Sequence, residues 1–130
     1  MPNAARAGAV VFAKDLQRVA KFYEELLGMP AVHSEHDHLV LESAHNELVI
    51  HAVPKAIADT IETTMPPERR TETPIKLLFF VASIAEARVK ALALGGELNL
   101  PAREWEARRF RACDGHDPEG NVLQLREYTP

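Results

Sequence analysis

The stretch DLQRVAKFYEELLG, residues 15–28, reads as a complete helix with its own start and stop. Asp15 is placed to cap it, because a carboxylate accepts from the free amides of a first helical turn. Leu16, Val19, Tyr23, Leu26 and Leu27 recur at helical spacing and form one apolar stripe. Gly28 ends the helix, since the left-handed residue that follows a helix suits glycine best. A second stretch, SIAEARVKALALGG at residues 83–96, repeats this grammar. Ser83 opens it with Glu86 three residues on, the spacing of a capping box. A displacement of 68 positions lays Ser83 on Asp15, Ile84 on Leu16, Ala87 on Val19, Ala91 on Tyr23, Leu94 on Leu26 and Gly96 on Gly28. Agreement of cap, stripe and stop predicts an internal repeat.

Strand signals flank each helix. Ala9 to Ala13 precedes the first, and Ala31 to Glu35, His38 to Glu42 and Glu47 to Val53 follow it, joined by polar turns at His36-Asp37 and Ala44-His45-Asn46. Ile75 to Val81 precedes the second helix. Glu97 to Leu100, Arg108 to Cys113 and Val122 to Tyr128 follow it, with a turn at residues 117–121. Pro54 to Pro74 is a long connection, of the length that serves as a linker, lid or partner contact.

Apolar residues make up 46% and charged residues 26% of the 130, the balance of a soluble globular chain. A net charge of −4 argues against nucleic acid, whose phosphates require clustered excess Lys and Arg. Cys113 is the single cysteine, so the chain forms no internal disulfide and fits a reducing compartment. The opening residues lack the pattern of a secretory leader, and no apolar stretch approaches a membrane span. These features together predict a cytoplasmic protein.

Strand parity sorts the apolar residues by face. Leu123 and Leu125, Leu48 and Ile50, Val11 and Ala13, and Leu77 and Phe79 fall on the sides that pack against helices. Val10, Phe12, Val49, Leu78, Phe80 and Val122 remain on the opposite faces, which are more apolar than a solvated sheet face needs. The expectation is a concave apolar cavity with a few inward polar groups: His51, Lys76, Gln124 and Arg126.

Three segments now carry a family resemblance: FAKDL at residues 12–16, FYEELLGM at 22–29 and DPEGNVLQL at 117–125. With the repeat, they resemble the vicinal oxygen chelate superfamily, which includes glyoxalase I, extradiol dioxygenases, and the fosfomycin and bleomycin resistance proteins. The resemblance implies an α+β fold of two tandem βαβββ modules, about 6–54 and 74–128 with a connector at 55–73. It implies one domain whose curved, barrel-like mixed sheet carries its helices outside. Metal-dependent members place ligands at four corresponding positions, which fall here on Gly8, His51, Lys76 and Gln124. Glycine offers no ligand, a protonated lysine repels a cation, and glutamine is a weak neutral donor. Only His51 matches, short of the three or so protein ligands a catalytic site needs, so the expectation is a chain with no metal and no cofactor.

The leading reading at this level is a metal-free homodimer that holds a small organic molecule. His51 is its candidate catalytic base, and Lys76, Gln124, Phe12, Phe80, Trp105 and Arg126 are candidate ligand-binding residues. Lys76 would offer a cation to a carboxylate or phosphonate, and Trp105 would act from a loop beside Arg108 and Arg109. A second reading is a metal-dependent lyase or dioxygenase with ligands drawn from His33, His36 or His38, three histidines that otherwise read as a polar turn. A third is a non-catalytic interaction module whose cavity is filled by Phe12 and Phe80.

Overall fold

Ala7–Ala13 forms strand β1, which pairs in parallel with β4, Asn46–Ala52, and not with its chain neighbours. The computed structural model describes residues 5–130, so most of the opening stretch read for a leader, residues 1–4, lies outside the described residues. A parallel pair needs a crossover, and helix α1, Leu16–Leu27, supplies it. Asp15 caps α1 by accepting from the Arg18 amide at 3.2 Å, and Gly28 closes it at φ 63°. Strands β2, Ala31–Ser34, and β3, His38–Glu42, complete an antiparallel meander into β4, giving the order β1-β4-β3-β2. Helix α1 packs on β3 and β4 and buries Val19, Phe22 and Tyr23 together with Leu41, Leu48 and Ile50. Burying side chains of this size stabilises by roughly 1.5–3 kcal/mol each. A short helix α2, Lys55–Ala58, follows, and this compact unit ends at Glu62.

The second compact unit, Thr63–Pro130, uses the same plan. Strand β5, Leu77–Phe80, runs parallel to β9, Val122–Tyr128, with helix α3, Ile84–Ala93, as the crossover. Ser83 caps α3 by accepting from the Glu86 amide at 3.1 Å. Ile84, Ala87 and Ala91 turn inward, as do Leu123 and Leu125 of β9. Strands β6, Glu97–Leu98, and β8, Phe110–His116, complete the order β5-β9-β8-β6. One further strand, β7 at Trp105–Ala107, pairs with β8 off this path.

The β7–β8 hairpin replaces the expected strand from Arg108 to Cys113. Ala107 pairs with Phe110, and Arg108 and Arg109 form the two-residue turn with φ of 39° and 67°. Two positive φ values are what such a turn needs, but they normally come from Asn or Gly. The turn at 117–121 does follow its composition. Asp117 is fully buried and accepts from the amides of Glu119 at 2.8 Å and Asn121 at 3.0 Å. Gly120, at φ 82°, lies so close to the connector that a Cβ would stand 2.0 Å from the Glu68 carbonyl.

Sheet closure is the expectation that fails. Among the described residues the strands form two separate mixed sheets with free edges, and neither is closed or strongly curled into a barrel. Closure requires a hydrogen-bonded ladder between outermost strands, and barrels of this kind usually need about eight. Sheets this small keep their edges. Phe12 is 63% exposed and Phe80 is 43% exposed, so neither fills a collapsed core.

Helix α3 is fastened by Arg88, whose Nε donates to the Asn99 carbonyl at 2.9 Å and whose guanidinium pairs with Glu104. The Glu104 side chain is 7% exposed, and without Arg88 its buried charge keeps only the longer 3.4 Å contact with the more exposed Arg111. Arg88→Met is expected to cost about 3 kcal/mol in urea denaturation. Lys55→Met, which breaks the solvated Lys55–Asp59 pair, should cost under about 1 kcal/mol. Equal losses would show that Arg88 is no more than a surface ion pair.

Candidate metal centre

The hairpin of β3 and β4 turns at Ala44-His45, where the Ser43 hydroxyl accepts from the Asn46 amide at 3.2 Å. Its register places Leu39 opposite Ile50 and Leu41 opposite Leu48 on the helix side, and therefore His38 opposite His51 on the open side. The two imidazoles stack with centroids 5.6 Å apart and planes 6° from parallel. Asp37, in the turn before β3, is held in place through its main chain, which accepts from the Ala52 amide at 2.7 Å.

Asp37, His38 and His51 form a half-buried cluster whose possible ligand atoms all lie within 4.8 Å of one another. His38 donates from Nδ1 to Asp37 Oδ1 at 2.8 Å. His51 donates from Nδ1 to the Ala52 carbonyl at 2.8 Å, so in the neutral ring the lone pair is on Nε2. That nitrogen faces Asp37 Oδ2 at 3.8 Å. Two electron-rich atoms so placed suit a shared cation. Divalent first-row ions take such donors at about 2.0–2.2 Å, a span that 3.8 Å satisfies. The hydrogen bond from His38 is the main reason the Asp37 carboxyl is held below the usual aspartate range. Slight burial opposes this, while the electrostatic pull of His36 and His38 adds to it. The donor set of two imidazoles and a carboxylate fits zinc or non-haem iron.

This cluster corrects the expectation of a metal-free chain without cofactor. Matching positions between the two repeats finds only residues that occupy equivalent places, and it returned His51 alone. His38 and Asp37 come to His51 through a hairpin inside one repeat. The usable signal was that His38 and His51 are equidistant from the Ala44-His45 turn. His36 lies in the turn itself and is exposed, outside the cluster. The His33 ring lies 5.5 Å from that of His38, and its Nε2 pairs with Glu35 at 3.2 Å. Phe12 flanks the cluster, its ring 6.0 Å from that of His51.

The remaining candidates lie in the second unit, where Asp114, not singled out from the sequence, organises them. Lys76 Nζ pairs with Asp114 Oδ2 at 2.9 Å, and Gln124 Nε2 donates to Asp114 Oδ1 at 2.9 Å. Arg126 Nε donates to Gln124 Oε1 at 2.7 Å. Phe80 stacks on Tyr128 at 4.4 Å, and Trp105 meets Phe110 edge-on at 5.6 Å. Burial alone would raise the Asp114 carboxyl. The Gln124 and Lys76 hydrogen bonds, with the charges of Lys76 and Arg69, outweigh it and hold the group below its ordinary 3.8.

A family model described as a glyoxalase-like domain matches residues 8–126. A glyoxalase/bleomycin resistance protein/dioxygenase family enzyme from Burkholderia phytofirmans PsJN shares 18% identity at a TM-score of 0.70, covering 95% of this chain and 99% of that one. A glyoxalase/bleomycin resistance protein from Albidiferax ferrireducens T118 shares 19% at 0.66, covering 93% and 96%. The fosfomycin resistance protein FosX of Listeria monocytogenes shares 17% at 0.64, covering 99% and 95%. No curated protein matches the chain. With its two βαβββ units and a model match over most of its length, the chain belongs to the vicinal oxygen chelate (glyoxalase/bleomycin resistance/dioxygenase) superfamily. Among the described residues no helix is long and apolar enough to cross a membrane.

A carboxyl group whose folded pKa is depressed contributes stability above its unfolded pKa and loses it as pH falls through the folded value. Asp114 should therefore destabilise the native state below about pH 3.8. In acid titrations followed by circular dichroism, Asp114→Asn is expected to lower stability at neutral pH and to flatten this acid limb. An acid limb as steep as wild type would show that Asp114 does not contribute to it.

Proposed function

We propose that this chain is a metal-dependent lyase or dioxygenase of its superfamily, with a divalent first-row cation held by Asp37, His38 and His51. The observation that supports the reading is the His51 Nε2 lone pair facing Asp37 Oδ2 at 3.8 Å, oriented by the Ala52 carbonyl behind the ring. When bound, the ion supplies Lewis acidity that polarises an oxygen-bearing group of a small organic substrate. Three protein ligands leave open positions for oxygen donors from that substrate.

In this reading His51 serves as a ligand rather than a free base, and the second nitrogen of its ring fixes its aim. His38 offers the second imidazole, its own aim set by the strand register. Phe12 and Val10, on the same face of β1, provide apolar surface for the body of the substrate, and Phe12 shields one side of the His51 ring. A cytoplasmic setting belongs to the same proposal, supported by the single cysteine, Cys113, a buried free thiol.

Untagged protein dialysed against Mn, Fe, Ni or Zn and then assayed by elemental analysis tests the reading. Wild type and His45→Ala should retain about one ion per chain. Asp37→Asn, His38→Ala and His51→Ala should each lose most of it. Retention by all three variants, or none by wild type, overturns the proposal. Substrate-dependent oxygen uptake by iron-loaded protein would select the dioxygenase branch, and turnover without oxygen uptake the lyase branch.

A further inference from the structure

The open face of the second sheet carries a cation–aromatic surface that the metal reading does not use. Register places Phe110, Ala112 and Asp114 of β8 opposite Tyr128, Arg126 and Gln124 of β9, with Phe80 opposite Arg126 and Trp105 opposite Ala112. Directly opposed residues share a face. The acidic residues nearest in sequence, Glu106 and Glu127, are the partners of Arg111 in the same ladders and so fall on the other face. Among the residues paired in these ladders, Asp114 is therefore the carboxylate on this side, and Lys76 and Gln124 occupy its oxygens.

Two guanidiniums converge on one buried ring. Arg126 Cζ lies 4.1 Å and Arg108 Cζ 5.1 Å from the centroid of Phe110, which is 4% exposed. Among the described residues no carboxylate pairs with either arginine. Arg126 spends Nε on Gln124 and keeps its terminal nitrogens. Arg108 is held there by a backbone that non-glycine residues rarely adopt, at φ 39° and followed by Arg109 at 67°. The Thr129 amide donates to the Arg109 carbonyl at 2.8 Å and secures that turn. Such strained backbone persists where its surroundings determine it, and it concentrates at binding sites. Beside the guanidiniums, the rings of Phe80 and Tyr128 stack face to face, with centroids 4.4 Å apart and planes 19° from parallel. Tyr128, 77% exposed, keeps the outer face of the stack accessible; Phe80 and Trp105 are each 43% exposed.

We infer that this face binds a small aromatic carboxylate, its ring against the exposed Tyr128 of the Phe80–Tyr128 stack and its anionic head on Arg108 and Arg126. Guanidinium is the group best matched to a carboxylate, through paired N–H donors. The exposed Tyr128 ring, backed by Phe80, supplies stacking area for the apolar body. Lys76, the cation suggested by sequence for this role, is neutralised by Asp114. The inference stands on the second unit alone and does not depend on the metal reading.

Trp105 is the only tryptophan of the chain, so its fluorescence reports on this face. Metal-free protein is titrated with phenylacetate and with phenylacetamide, its uncharged counterpart. Phenylacetate should perturb Trp105 saturably, and phenylacetamide should bind about tenfold more weakly or less. Arg126→Gln and Arg108→Ser should each weaken phenylacetate by about tenfold while leaving phenylacetamide unchanged. Arg108→Ser, at the exposed turn, keeps the test valid where Arg126→Gln fails to fold. Equal binding of the two compounds, no response to phenylacetate, or full affinity in Arg108→Ser overturns the inference.

Discussion

Leu41, Leu48 and Ile50 are packed beneath α1, each at most 1% exposed, and this burial sets the register on which the first unit depends. Side chains alternate along a strand, so a one-residue slip would send all three into solvent and turn the polar side inward. The same lock that hides the leucines sets His38 beside His51 on the opposite face. The candidate metal centre is thus a by-product of core packing. It needs no ordering of a flexible loop, because the Asp37 main chain is already tied to β4. The Ala52 carbonyl likewise holds the His51 ring by accepting from its Nδ1.

The second unit uses the same frame differently. Its helix is capped by Ser83 where the first has Asp15, and Leu123 and Leu125 take the buried places on its last strand. Its open face holds no imidazole pair opposite one another in the central ladder. Instead Asp114, Gln124 and Arg126 form a relay of hydrogen bonds ending in guanidinium density over Phe110. Duplication preserved the parts that make a sheet cover a helix. The faces turned away from the helices carry different chemistry in the two units: His38 and His51 in the first, and Asp114, Gln124 and Arg126 in the second. A shared fold therefore says little about a shared reaction.

Much of the frame was legible because it rests on local rules. Caps at Asp15 and Ser83, the stop at Gly28, and the Asp117 turn each need only a few neighbouring residues, and each forms as its composition directs. The hairpin at Arg108-Arg109 was not legible, since its positive φ values carry no glycine or asparagine to announce them. Sheet closure misled for another reason: alternation of apolar residues tells which face a side chain takes, but not whether outer strands meet. The candidate site was half visible. His51 stood out by its strand position, while Asp37 and His38 looked like a polar turn until the hairpin brought them to it.

By itself the sequence determined the two helices, the repeat that relates them, and the parity of each strand, because these depend on spacing of 2 and 3.6 residues along one chain. It also placed the chain in its superfamily through the opening and closing segments. Only the tertiary structure decided that the strands make two open sheets, that Asp37, His38 and His51 share a cluster, and that Asp114 claims Lys76 while Arg108 and Arg126 gather on Phe110. These are contacts between strands, set by register and by turns, and the identity of an opposing residue is not written in the spacing of either strand alone.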